Sequence, residues 1–242
     1  MGARLDQLRQ RARIADFAHC AVIVSYFLGR RNVVGVWDNH DMPAFPMDQS
    51  DSLDPSQVER MTRYWLEKAV IGLNLCPFAK AVERKNQIRY VVSSADSTND
   101  LARELAGELR LLHATDPALI DTTLLIHPYV LTDFVEYNAF LSAADKLLRK
   151  AGLEGELQIA SFHPLYVFAG ADSEAIENYT NRSPYPMLHL LREASVERAV
   201  DAFPDADAIF ERNIATLQAL GIEGWQRLVS DPGQVPCEPA SP

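Results

Sequence analysis

SFHPLYVFAGADSEAIENYTNRSPYPMLHLLRE, residues 161–193, is the stretch whose reading decides the fold. It gathers His163, His189, Tyr166, Tyr179, Tyr185, Asn178, Asn181, Arg182 and Arg192 around Pro164, Pro184 and Pro186, where an ordinary fold needs mainly apolar spacing. Such polar density between a strand and a helix points to a site. Its start reads as the end of a strand over residues 156–162, stopped by His163-Pro164, with a short extra strand over residues 166–168. Its end reads as a helix from Ser183 as N-cap and Pro184 as first helical residue to about Ala199. On that helix His189, Arg192 and Glu193 stand at i, i+3 and i+4 and share a face.

Upstream, the same alternation repeats. Asp54-Pro55-Ser56-Gln57 supplies an N-cap carboxylate, a proline at the first helical position and a Gln three residues on, so a helix runs to Gly72. Residues 88–92 form a strand, and Ser93 to Ser97 lead into a helix with Leu101, Leu105, Leu109 and Leu112 on one face. Residues 122–126 are an apolar strand stopped by His127-Pro128, and residues 133–150 a helix closed by Gly152. Downstream, Phe203-Pro204-Asp205 opens a last helix through Phe210, Ile214 and Leu217 that ends at Gly221.

Strands alternating with long helices imply a largely parallel α/β sheet of three to four strands, flanked by helices and finished by a C-terminal helical pair. In such a sheet the carboxyl ends of the strands share one edge, where ligands usually bind. That edge would collect the loop at Ser93, His127 and His163.

Composition limits the function. Hydrophobic residues make up 48% and charged ones 23%, which suits a globular protein with a real core. The net charge of -10 argues against general nucleic-acid binding, which needs clustered Lys and Arg. No apolar run reaches the roughly 18 to 20 residues of a membrane-spanning helix. Cys20, Cys76 and Cys237 are odd in number and widely spaced, so neither a disulfide framework nor a CxxC knuckle forms and a reducing, cytoplasmic setting is expected. The first 46 residues carry six Arg and four Asp, a net of +2 that leaves -12 for the rest. We expect a poorly ordered extension there, with Met47 as the functional start, one α/β domain over residues 54–229, and a disordered tail over residues 230–242.

GLNLCPFA from Gly72, HPLYVF from His163 and ENYTNRSPYPMLHLLRE from Glu177 resemble the bacterial family catalogued as domain of unknown function 1415. The resemblance runs from about Val58 to Val229. It implies a single cytoplasmic domain and brings no assigned activity.

The residues themselves suggest an enzyme acting on a small anionic metabolite. His163 and His189 are the acid–base candidates, since an unperturbed imidazole titrates near neutrality, and Glu193 would orient one of them. Arg182 and Arg192 would contact the anion. Tyr166, Asn178, Tyr179, Asn181 and Ser183 would position it. A helix N-terminus favours anions, but Pro184 and Pro186 remove two of its amides. A metal held by His163, His189 and Glu193 or Glu177 is conceivable from the donor types; no cofactor is assigned and the oligomeric state is open. The alternative is a binding or interaction module using the same residues without chemistry. Cys76 follows a helix end, where the dipole opposes a thiolate, so it reads as structural. No Walker A loop, GxGxxG, GxSxG or HExxH string is present.

Overall fold

The structure, a computed structural model, describes residues 53–202 and 208–230. The extension expected over residues 1–46 and the tail beyond Ser230 lie outside them, as does the opening Phe203-Pro204-Asp205. Asp54 begins helix α1 (Pro55–Trp65): its carboxylate accepts from the Ser56 N–H at 3.0 Å, and Pro55 sits in the first turn, where no amide is needed. The helix then widens into a π-helical segment, Leu66–Ile71, before Gly72. Helix α2 (Ala79–Arg84), strand β1 (Ile88–Val92), helix α3 (Thr98–Ala114), strand β2 (Thr122–Ile126), helix α4 (Phe134–Lys150) and strand β3 (Leu157–Phe162) follow. Ser97 and Asp133 cap α3 and α4, each side-chain oxygen accepting from the backbone N–H three residues on. Beyond the end of α4, Gly152 takes a φ of 71°, a left-handed turn that a Cβ would oppose.

The element after β3 differs from the helix expected over residues 183–199. A 3-10 turn, Ile176–Thr180, leads into strand β4 (Met187–Arg192), and only then does helix α5 (Glu193–Ala202) begin. The sequence MLHLLR satisfies either period. In a helix His189 and Arg192 share a face; in a strand Met187, His189 and Leu191 do. The strand wins because both of its faces are covered: Met187, Leu188 and Leu190 are fully buried and Leu191 nearly so. Residues 166–168 form no strand. The last helix, α6 (Ile209–Val229), breaks at Gly221, where φ is 68°, but resumes to Val229 instead of ending there.

The sheet order is β1-β2-β4-β3. Only β1 and β2 pair in parallel; β4 lies between β2 and β3 and runs antiparallel to both. The largely parallel sheet is therefore replaced by a mixed one, because the residues read as a helix supply its central antiparallel strand. The edge expectation survives for a different reason. Since β4 opposes both neighbours, β3 points the same way as β1 and β2, so His127 and His163 do leave the sheet at one edge. Ser93 joins them there, its N–H donating to the Ile126 carbonyl at 2.7 Å.

Two apolar layers cover the sheet. On one face, Leu101, Leu105, Leu109 and Leu112 of α3 and Tyr137, Leu141, Ala144 and Leu148 of α4 pack on Leu125, Leu157, Leu188 and Leu190. On the other, α1 with its π segment, α5 and α6 pack on Leu124, Ile126, Ala160, Phe162, Met187 and Leu191. His189 pairs with Leu124 and Ala160 in register, which puts it on this second face.

Candidate functional site

The second face does not close completely. A pocket of about 560 Å³ lies between the sheet and the helices over it, floored by Thr122, Leu124, Phe162, His189 and Leu191. Leu66 and Val70 of the π segment form part of its wall, and the π bulge is a common device near functional sites. The turn Cys76-Pro77-Phe78 and residues Val196 and Ala199 of α5 enclose it further. Its charged lining residues are Lys85, Arg198 and Asp121, and the two cations are exposed.

His189 is half-buried on this wall, with its Nδ1 covered and without a partner among the described residues. Its other nitrogen, Nε2, lies 2.7 Å from Thr122 Oγ1. The Thr122 hydroxyl spends its single proton on the Leu190 carbonyl at 2.6 Å, so Nε2 must carry hydrogen and donate to Oγ1. In the neutral ring Nδ1 is then an acceptor lone pair. Burial pushes the His189 pKa down to about 4, so the ring is neutral at physiological pH.

The other polar groups of the pocket are already engaged. Asn213 Nδ2 donates to the Leu75 carbonyl at 2.9 Å, Thr180 Oγ1 to the Glu177 carbonyl at 2.9 Å, and Gln87 Nε2 to the carbonyls of Pro117 and Ala118. At the mouth Ser195 Oγ donates to the Asp121 carboxylate at 2.5 Å, while Arg198 donates to Ser195 Oγ.

His163 occupies a different environment. It follows β3, on whose strand Ala160 faces His189, so about 10 Å of strand separates the two histidines. Alternation places them on opposite faces of the sheet. The His163 ring packs against Tyr137 and Phe134, at centroid distances of 5.0 and 5.3 Å, in the layer under α4. Both of its nitrogens have backbone partners: Nε2 donates to the Leu131 carbonyl at 3.2 Å and Nδ1 accepts from the Leu165 N–H at 3.0 Å. Leu131 itself holds a φ of 58°, a strained conformation for a branched side chain, and the His163 bond pins its carbonyl. Burial lowers the His163 pKa to about 4. His127 also stacks on Tyr137, at 5.8 Å, donates from Nδ1 to the Val130 carbonyl at 2.8 Å, and is likewise held near 4 by burial.

Glu193 starts α5, its N–H donating to the Glu156 carbonyl at 2.9 Å, immediately after β4. The structure therefore does not bring His163, His189 and Glu193 together. Among the described residues no group of three or more His, Cys, Asp or Glu is arranged to hold a metal ion.

The residues expected to position a substrate instead tie the β3–β4 connection to itself. Asn178 accepts from the Phe168 N–H at 3.0 Å and donates to the Asp172 and Ser173 carbonyls. Asn181 Nδ2 donates to the Ser161 carbonyl at 3.2 Å, and Ser183 Oγ to the Tyr185 carbonyl at 2.7 Å. Tyr166 lies edge-on to Phe168, with its hydroxyl 3.4 Å from Ser161 Oγ. Arg182 donates to the carbonyls of Tyr166 and Ser173 and lies over the Tyr179 ring at 4.2 Å. Tyr179 meets Trp225 of α6 edge-on at 5.5 Å.

Arg192 serves the end of α3. Its guanidinium donates to the carbonyls of Leu112, Thr115 and Ile120, satisfying groups that a helix C-terminus leaves open. Arg192→Met keeps the length but removes these charged donors, and should lower stability by about 2 kcal/mol in urea denaturation. A loss below about 0.5 kcal/mol, the level of an ordinary surface substitution, would refute the capping role.

The sheet, its helical layers and the pocket define a mixed α/β protein with a ligand-sized cavity on one face, and among the described residues no helix is long and apolar enough to cross a membrane. Residues 57–227 match the family model described as protein of unknown function DUF1415, and the chain belongs to that family. No curated protein and no solved structure matches it.

Sequence spacing did not indicate Thr122, Lys85, Asp121, Ser195 or Arg198 as pocket residues. The local signals were the GLNLCPFA string, which contributes Leu75, Cys76, Pro77, Phe78 and Ala79, and the string from Glu177, which contributes Thr180, His189 and Leu191.

Proposed function

We propose that this protein binds a small, mainly apolar molecule in the pocket beneath the π segment, with its charged end at the mouth beside Lys85 and Arg198. The observation that carries the reading is the pocket itself, whose 560 Å³ fall in the usual range for small-molecule sites and whose wall is apolar apart from Lys85, Asp121, Arg198, a few hydrogen-bonded polar groups and His189. Two exposed cations against the single Asp121 carboxylate favour an anionic outer end. Ligand binding without chemistry is favoured over acid–base catalysis because a general base works best with a pKa near the operating pH. His189, held near 4, is a hydrogen-bond acceptor at neutral pH and a weak base.

Filling the pocket tests the proposal. Ala199 lines it from α5 and is half-buried, so Ala199→Trp places an indole in the cavity. A ligand found by thermal-shift screening of aryl and alkyl carboxylates should stabilise the wild type by about 3 kcal/mol at roughly one hundred times its Kd. The variant should lose that response while retaining its far-UV circular dichroism. An equal response in a folded variant would place the ligand elsewhere.

A further inference from the structure

We infer that the ligand presents an uncharged hydrogen-bond donor, a hydroxyl or N–H on its apolar body, to Nδ1 of His189. This rests on the pocket reading above and adds the chemistry of the ligand's inner end. The hydrogen-bond chain fixes the polarity. Leu190 offers only a carbonyl, Thr122 gives that carbonyl its proton, and His189 must give its Nε2 proton to Thr122. The relay ends at Nδ1, which is a lone pair with no partner among the described residues. A buried acceptor left unpaired is costly, so a donor arriving there gains more than it would at a satisfied site. An anionic oxygen at the same place would face a lone pair and find no compensating donor. The ligand's charge therefore belongs at the mouth and its neutral donor at the floor. Nδ1 is covered while the ring borders the pocket, so contact requires a ring rotation small enough to keep the Nε2–Thr122 bond.

Three matched probes separate the possibilities: para-hydroxyphenylpropanoate, its para-methyl analogue and its methyl ether. All carry an aromatic body and a carboxylate, but only the first has the donor. The hydroxyl probe should bind the wild type about tenfold more tightly than the methyl analogue, the size of one well-placed neutral hydrogen bond. His189→Leu should erase the difference by weakening the hydroxyl probe alone. Because that substitution alters the core, the wild-type ring provides an independent measurement. Nitrogen NMR of the imidazole should show Nε2 protonated and Nδ1 bare, with the Nδ1 signal moving on addition of the hydroxyl probe and staying put with the methyl analogue. Equal binding of all three probes, or a protonated Nδ1, would overturn the donor inference and leave the pocket reading in place. Binding of none at millimolar concentration would overturn the pocket reading, and the inference with it.

Discussion

Lowering the pH from about 6.5 towards 4 is expected to unfold the protein. His127 and His163 are fully buried, His189 borders the pocket, and all three pKa values are lowered from 6.5 to about 4, chiefly by burial. Folded-state values below the unfolded one mean that the unfolded chain binds more protons throughout this interval. The stabilisation is complete above the unfolded value and disappears as the pH falls through the folded one. Each histidine then removes roughly 3 kcal/mol over the interval, and the three together about 10 kcal/mol, comparable to the whole stability of an ordinary domain. Urea titrations at stepwise pH should show stability falling by up to about 4 kcal/mol per pH unit in the steepest part. His189→Gln should reduce that slope by about 1.4 kcal/mol per unit, one proton's worth. A stability that stays flat from pH 6.5 to 5 would show that these rings are not held neutral by the fold.

The same three residues mark the limits of what the sequence disclosed. His127 and His163 were legible as edge residues because each follows an apolar strand and precedes a proline, two local signals that agree. Their backbone bonds were not, since Val130 and Leu131 reach them only through the turn after β2. His189 was placed on a helix because the six residues MLHLLR, four of them apolar, fit both periods, and Pro184 is as compatible with a strand approach as with a helix start. Once β4 is a strand, the shared face of His189, Arg192 and Glu193 dissolves. His189 turns to the pocket, Arg192 to the end of α3, and Glu193 opens α5.

The polar loop over residues 163–186 misled for a related reason. Asn, Arg and Ser concentrated near prolines are what a long connection needs to satisfy its own carbonyls, and also what a binding loop offers a ligand. Composition cannot separate these uses; the partners of Asn178 and Arg182 can. The pocket, conversely, is assembled from segments as distant as Trp65 and Asn213, each unremarkable in its own stretch. Only the topology that inserts β4 between β2 and β3 puts Thr122 beside His189.

Tyr137 is where that topology is locked, and Tyr137→Phe is the second large effect we expect. Its side chain is fully buried on α4, and its hydroxyl bridges two strands: it donates to the Met187 carbonyl of β4 at 2.8 Å and accepts from the Phe162 N–H of β3 at 3.0 Å. Phenylalanine fills nearly the same space and keeps the ring contacts with His127 and His163, so packing is preserved while both hydrogen bonds vanish. The buried Phe162 N–H then loses its acceptor and the Met187 carbonyl loses a donor, at about 1–3 kcal/mol each. We expect a loss of about 3 kcal/mol in urea denaturation, with hydrogen exchange at the Phe162 amide accelerated and that of β1 little changed locally. Tyr129→Phe provides the contrast: its hydroxyl also donates to a carbonyl, that of Leu53 at 2.8 Å, but the side chain is exposed and water replaces the bond, so the change should stay within about 0.5 kcal/mol. Equal small effects at both tyrosines would mean that the β3–β4 pair holds its register without the bridge. The pocket side would then depend on ladder pairing and apolar burial alone to keep His189 opposite Ala160.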